Sequence, residues 1–231
     1  MPPVIRTARE RAREELTLEI KKEARRQLAE EGAQRLSLRA VARELGMASS
    51  ALYRYFPSRD DLLTALIVDA YNAVGERAEQ AVAACPADAT RERWRALCGS
   101  VRDWAKEHPH EYALLYGTPV PGYAAPAETV APASRVALAL ISVLRSGAGE
   151  ARPTAPVRPL RGVLAEQIAA VVSSWAPEVS AGLLTRGLAA WAQLFGMISF
   201  ELFGHLVGTL EPADEFFAHT VEEMADALGM A

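Results

Sequence analysis

Apolar residues recur along this chain at helical spacing nearly from end to end, and no stretch alternates apolar with polar residues at the period of a strand. Leu16, Ile20, Ala24 and Leu28 form one stripe, followed by Gly32. Leu38, Val41, Ala42 and Leu45 fall at i, i+3, i+4, i+7 behind Ser37, a capping residue, and Gly46 supplies the left-handed turn that closes the helix. A further helix is expected from Ser49 to Phe56, with Leu52 and Phe56 on its inner side and Pro57 as its stop. Ser58 and Asp61 then make an S-x-x-D start for a long helix carrying Leu62, Leu63, Leu66, Ile67, Ala70, Tyr71 and Val74. Pro86, in the run ACPADAT, breaks it; Trp94, Leu97, Val101 and Trp104 mark the next helix, which ends at the HPH run of residues 108–110. The loop YGTPVPGYAAPAE leads to a helix over about 130–144. Residues 146–159, SGAGEARPTAPVRP, read as the most flexible part of the chain by composition, and helices over about 160–175, 180–207 and 213–228 complete the pattern. The expected fold is all-α: an N-terminal three-helix bundle within residues 1–60 and a larger helical domain over 61–231.

Two short helices joined by so tight a turn read as a helix-turn-helix. At about 100° per residue, Leu52 and Phe56 share the inward direction, Ser50 and Arg54 point roughly opposite, and Tyr53 and Tyr55 lie about 80° to either side. In a major groove, outward side chains meet base edges while flanking hydroxyls reach phosphates on the two walls. Ser50, Ala51 and Arg54 are therefore base-reading candidates: small residues permit close backbone approach, and Arg54 has the fork that suits a guanine. Tyr53, Tyr55 and Arg59 are phosphate candidates, Arg59 because it opens a helix whose free N–H groups carry partial positive charge. Ser37, Arg39 and Ser49 complete the DNA-facing set. Taken singly, the tyrosines read as half-buried packing and Arg59 as a solvated charge; their combination in one short segment favours DNA.

Charge sharpens this picture. The 231 residues carry a net −4, but residues 1–60 hold 13 basic against 9 acidic side chains, a net +4, and the remainder 12 against 20, a net −8. A mildly acidic total would argue against nucleic acid only if the charge were uniform. Arg6, Arg9, Arg11 and Arg13 form a basic arm suited to the minor groove or the backbone, although a solvated tail reads equally well. Cys85 and Cys98 share no metal-ligand or redox spacing. The opening residues alternate charges without the apolar segment of a secretory signal, so a cytoplasmic location is expected. The sequence has no helical histidine pair of the zinc-site kind, no glycine-rich phosphate loop and no Gly-x-Ser-x-Gly turn, so neither catalytic residues nor a metal or cofactor are expected.

The segment resembles the N-terminal DNA-binding domain of the TetR family of transcriptional regulators, through Ser37, Val41, Ala42, Gly46, Leu52, Tyr53, Tyr55, Phe56, Leu62 and Leu63. Arg59 stands where the family usually has lysine, which keeps the charge but changes the donor geometry. The resemblance is specific over residues 16–72. It implies phosphate contacts from Tyr53, Tyr55 and Arg59, groove contacts from the helix 49–56, and a dimer built on an intersubunit four-helix bundle. Twofold pairing is also physically required, since one short recognition helix reads few base pairs and a dimer places two of them about 34 Å, or a multiple of it, apart.

The apolar stretch at residues 188–208 is long enough to raise a membrane span, yet Glu201 lies within it, and a central acid costs roughly 2.5 to 3.5 kcal/mol on insertion. A helix apolar nearly all round is better explained by burial on several sides, with the core on one and a second subunit on another; a homodimer through the helices near 180–207 and 213–228 is expected. Residues 109–123 and the WAQLFG run at Trp191 resemble a ligand-binding subtype of the family named for a Trp-His-Gly motif, with Phe195 where the histidine is expected. Trp104, Tyr112, Tyr116, Tyr123, Trp175, Trp191 and Met197 are candidates for an effector pocket. The leading expectation is a homodimeric regulator, a repressor released from a palindromic double-stranded operator by a small apolar or aromatic effector. The alternatives are a ligand-independent DNA-binding or scaffold protein and, more remotely, a small helical enzyme.

Overall fold

The computed structural model describes residues 7–147 and 158–230, so most of the run 146–159, like Arg6 of the basic arm, lies outside the described residues. The described chain is helical, with no strand among the described residues.

Local capping chemistry sets the first elements. Helix α1 (Ala8–Glu31) opens on a reciprocal pair in which the Glu10 amide donates to Thr7 Oγ1 at 3.2 Å and the Thr7 amide donates to the Glu10 carboxylate at 2.8 Å. It buries Ile20, Ala24 and Leu28 and ends at Gly32, whose φ of +78° a side chain would strain. Helix α2 (Leu38–Glu44) is capped by Ser37, which accepts from the Ala40 amide at 3.4 Å, and buries Leu38, Val41 and Ala42. Helix α3 (Ser49–Leu52) is shorter than the expected span of 49–56. After Leu52 the chain tightens: the Arg54 amide bonds the Ala51 carbonyl at 3.3 Å and the Tyr55 amide bonds the Leu52 carbonyl at 2.8 Å, both i to i+3. Pro57 disfavours helical geometry just ahead of it, yet the Phe56 amide still reaches the Leu52 carbonyl at 3.1 Å, and both of those side chains remain buried.

Helix α4 (Arg59–Ala83) starts at Ser58, whose hydroxyl accepts from the Asp61 amide at 3.1 Å and donates to its carboxylate at 2.6 Å. Leu62, Leu63, Leu66, Ala70, Val74 and Ala78 are almost fully buried along it. Then come α5 (Thr90–Glu107), α6 (Pro109–Tyr116), α7 (Val130–Ser146), α8 (Gly162–Trp175), α9 (Ala181–Leu202) and α10 (Asp214–Leu228). Two departures from the expected pattern stand out. Helix α6 occupies residues where a break was expected, because Pro109 sits at its first position, where a missing N–H costs nothing. Helix α9 stops at Leu202 rather than near Val207, as Gly204 turns left-handed at φ +78° and the His205 amide closes onto the Phe200 carbonyl at 2.9 Å. Among the described helices, the stretch Ala127–Ser146 is long and apolar enough to cross a bilayer; Val136, Leu140, Val143 and Leu144 within it are buried in the protein core.

By contacts the chain gathers into two compact units, residues up to Ala70 with His110–Val130, and Tyr71–Pro109 with Ala131 onward. In the first, Arg25 of α1 donates to Asp69 of α4 and to Glu111 of α6, each at 2.8 Å, and Lys21 reaches Asp69 at 2.9 Å. The hydroxyls of Thr64 and Tyr123 hydrogen-bond at 2.9 Å in the same unit. In the second, the buried Trp94 indole N–H donates to the Val221 carbonyl at 2.9 Å, joining α5 to α10. Arg135 of α7 forks onto Glu79 of α4 at 2.8 and 2.6 Å and donates to the Asn72 carbonyl at 3.0 Å.

Candidate nucleic-acid interface and effector cavity

The candidate reading surface rests on two buried anchors. Leu52 and Phe56 seat the short α3 segment in the core, which leaves Ser50, Tyr53 and Arg54 exposed, Tyr53 at 41%, and Ser49, Ala51 and Tyr55 half-buried. A tyrosine that exposed on a segment this well anchored presents both a ring and a hydroxyl to whatever lies outside. Arg39 projects from α2 into solvent, and Ser37 is half-buried with its oxygen engaged as the helix cap. The sequence-derived set is thus gathered around α2, α3 and the start of α4.

Two features were not visible in the sequence. The Arg13 guanidinium of α1 stands 5.5 Å from the centre of the Tyr55 ring, a cation–π contact that steadies this tyrosine from 42 positions away; no local pattern signals it. Arg59, expected to project toward phosphate, instead turns inward: its Nη2 donates to the Ala33 carbonyl at 2.8 Å and the Gln34 carbonyl at 3.4 Å, its Nε donates to the Leu36 carbonyl at 3.2 Å, and Asp60 lies 3.5 Å from Nη1.

The seven effector-pocket candidates separate. Trp175 and Trp191 line a common cavity of about 180 Å³ in the second unit, bounded by α7, α8 and α9. Leu138, Ile141, Val171 and Leu188 form much of its wall, Ser134 adds a hydroxyl, and no charged side chain lines it among the described residues. Trp104 is core, its ring 5.4 Å from that of His108. Tyr112 and Tyr116 pack together in the first unit with ring centres 5.0 Å apart, and Tyr123 is bonded to Thr64 there. Met197 is half-buried and stands outside the cavity lining. Phe195 meets Trp191 edge-on at 6.0 Å.

The Cys98 thiol is pushed well up by burial and is therefore unreactive. The Arg95 guanidinium, seconded by Arg91, holds the Glu222 carboxyl down to about 2. No cluster of three or more His, Cys, Asp or Glu suited to a metal occurs among the described residues.

Comparison with known proteins agrees with this geometry. Residues 20–66 match the family described as bacterial regulatory proteins, tetR family, and residues 94–224 match the tetracyclin repressor-like C-terminal domain. An HTH-type transcriptional regulator of Mycobacterium bovis is 40% identical over 196 residues, covering 84% of this chain and 83% of its own. The crystal structure of the regulatory protein SCO4313 superimposes with a TM-score of 0.76 at 32% identity, over 94% of this chain and 98% of that one. The TetR family regulator PfmR of Thermus thermophilus shares the fold at a TM-score of 0.58 and 20% identity, over 89% and 96% of the two chains. With a helix-turn-helix that exposes Ser50, Tyr53 and Arg54, and with both family domains matched along its length, the chain belongs to the TetR family and is a DNA-binding transcriptional regulator rather than an enzyme.

Proposed function

We propose that the protein is a homodimeric, cytoplasmic repressor released from a palindromic operator by a small apolar or aromatic effector, with residues 1–60 reading DNA and 61–231 dimerising and sensing. The observation that carries the DNA half is the burial of Leu52 and Phe56 beneath an exposed Ser50, Tyr53 and Arg54. On this reading Ser50, Ala51 and Arg54 meet base edges while Tyr53 and Tyr55 meet phosphates, with Ser49 and Arg39 beside them.

The cavity between α7, α8 and α9 supports the sensing half. Its volume of about 180 Å³ compares with the roughly 150 Å³ of an engineered closed cavity that binds benzene, which suits a ligand of one or two rings, although Leu138 and Trp175 leave this one partly open to solvent. Its uncharged wall disfavours an ionic ligand, because a buried charge without a partner is costly. Exposed Phe200, Phe203, Val207 and Leu210, at the end of α9 and in the turns after it, give a second copy an apolar face to cover. Helix α4 runs unbroken from Arg59 to Ala83 and so contributes residues to both units, the route by which effector binding would alter the spacing of two reading heads. Such control requires unequal effector affinity for the two arrangements.

Selection of duplexes from a random-sequence pool by the purified protein tests this reading. The expected product is an inverted repeat bound with steep salt dependence and released by neutral aromatic compounds such as naphthalene. Absence of any salt-sensitive sequence preference overturns it; preference without release by any small molecule leaves a ligand-independent DNA-binding protein.

A further inference from the structure

We infer that Arg59 is a positioning residue for DNA reading: its guanidinium straps the first turn of α4 to the carbonyls of Ala33, Gln34 and Leu36, and thereby sets where α2 and α3 stand, without gripping phosphate itself. The inference rests on the DNA-reading role of α2 and α3.

A guanidinium offers five N–H donors in a fixed plane, and Arg59 directs Nη2 and Nε onto backbone oxygens 23 to 26 residues earlier in the chain. The acceptors belong to the one-turn segment after Gly32, which closes α1, and to Leu36, the residue just before the Ser37 cap of α2. Leu36 is itself 3% exposed, so the strap ends on a fixed point. One side chain therefore joins three junctions: the end of α1, the start of α2 and the start of α4.

What the strap controls follows from the length of α3. Four residues make barely one turn, too little to hold an orientation by its own hydrogen bonds, so the direction in which Ser50 and Arg54 point is set by what α3 packs against. Leu52 and Phe56 fix it from below, and α2 fixes it from the side. A shift of the α2 start is passed on to the reading side chains, and base contacts tolerate such a shift poorly because each depends on hydrogen-bond geometry. Phosphate contacts from flexible side chains tolerate it well. The positive charge of Arg59 is meanwhile spent on three carbonyls, with Asp60 at 3.5 Å and only 30% of the side chain exposed. Lysine at this position would place a compact ammonium where a planar fork now spans separate acceptors.

The test uses the full-length protein, a duplex selected from a random pool by the wild type, and a scrambled duplex of equal length. Arg59→Ala and Arg59→Lys are compared by fluorescence anisotropy over a series of salt concentrations, well below each variant's melting temperature. The expected result is a loss of discrimination between the two duplexes by roughly tenfold, the size of one base contact, in both variants. Affinity for the scrambled duplex and the slope of log K against log salt stay at wild-type values. A phosphate grip gives a different result that overturns the inference: both affinities fall together in Arg59→Ala, the slope drops by about 0.9, and lysine restores them. A purely structural role also overturns it, since melting temperature then falls while discrimination of the folded protein is unchanged. If Arg59→Ala does not fold, Arg59→Lys decides alone, because it retains discrimination under a grip and loses it under a strap. A wild type that does not discriminate between the duplexes is instead a failure of the underlying DNA-reading role.

Discussion

Arg102 of α5 faces Glu201 of α9 through two parallel hydrogen bonds, at 2.7 and 2.6 Å, with the arginine side chain only 9% exposed. Its guanidinium also lies 4.6 Å from the centre of the Phe217 ring and 2.9 Å from Asp214 of α10, so one cation ties three helices of the second unit together. Glu201 is the acid that makes the apolar stretch 188–208 unsuited to a membrane, and the fork is its compensation. Arg102→Ala is expected to lower stability by about 2 to 3 kcal/mol, because it leaves a carboxylate that is 17% exposed with only the Lys106 ammonium, 3.7 Å away, to face it. Glu201→Gln should cost only about 1 to 2 kcal/mol, as Asp214 still accepts from the arginine. Urea unfolding of both variants checks the order; equal losses would contradict it.

Acid sensitivity should arise in part at the junction of α5 and α10. Glu222 accepts from Arg95 and Arg91, and its folded carboxyl sits at about 2 against about 4.3 in an unfolded chain. A depressed carboxylate contributes stability above the unfolded value and loses it as pH falls toward the folded one. The melting-temperature difference between wild type and Glu222→Gln should therefore be full at pH 6 and shrink between about pH 4 and 2. Because the carboxylate is partly exposed, the effect should also weaken in added salt. A difference independent of pH would refute the assignment.

Gly75 of α4 has no room for a side chain: an added Cβ would stand 2.5 Å from Arg135 Cβ and 3.0 Å from its Nε. Gly75→Ala gains helix propensity, but it pushes α7 away and disturbs the Arg135 fork on Glu79. A net loss of about 1 to 2 kcal/mol is expected. Thermal unfolding with Arg135→Ala as a second background should show the two losses to be non-additive.

On the reading surface, Tyr53→Ala should weaken binding to all duplexes alike, whereas Arg54→Ala should relax choice at one base pair at a cost of about 1 to 3 kcal/mol. Repeating the selection from a random pool with each variant separates the two; unchanged affinity in both would refute the docking geometry.

Leu188→Trp should fill the cavity beside Trp175 and Trp191. Titration with naphthalene, followed by tryptophan fluorescence, is expected to quench the wild type and leave the variant unaffected, with the fold intact by circular dichroism. Equal quenching would place the aromatic site elsewhere.

What could be read from the sequence was whatever is decided locally. Ser37, Gly46 and Ser58 marked their helix ends because capping is a matter of a few adjacent atoms, and Leu52 and Phe56 proved buried as their spacing implied. The length of α3 was not legible, since a hydrophobic period cannot distinguish a tightened i to i+3 turn from a helix that continues to Pro57. Helix α6 was missed because a proline between two histidines looks like a break unless it occupies the first turn. Residue type alone suggested six aromatic residues and Met197 for one pocket; Trp175 and Trp191 share one, while Tyr112 packs in the other compact unit. The inward turn of Arg59 and the seat of Arg13 on Tyr55 depend on distant backbone, which no local pattern encodes.

The bond between Tyr123 and Thr64, together with the salt link from Arg25 to Glu111, has a practical corollary for engineering new specificities. Transplanting only the leading seventy residues onto a relative would sever the recognition module from a brace encoded forty residues downstream. Chimaeras that also carry 110–130 should keep their stiffness, and those without it should behave as loosened hybrids.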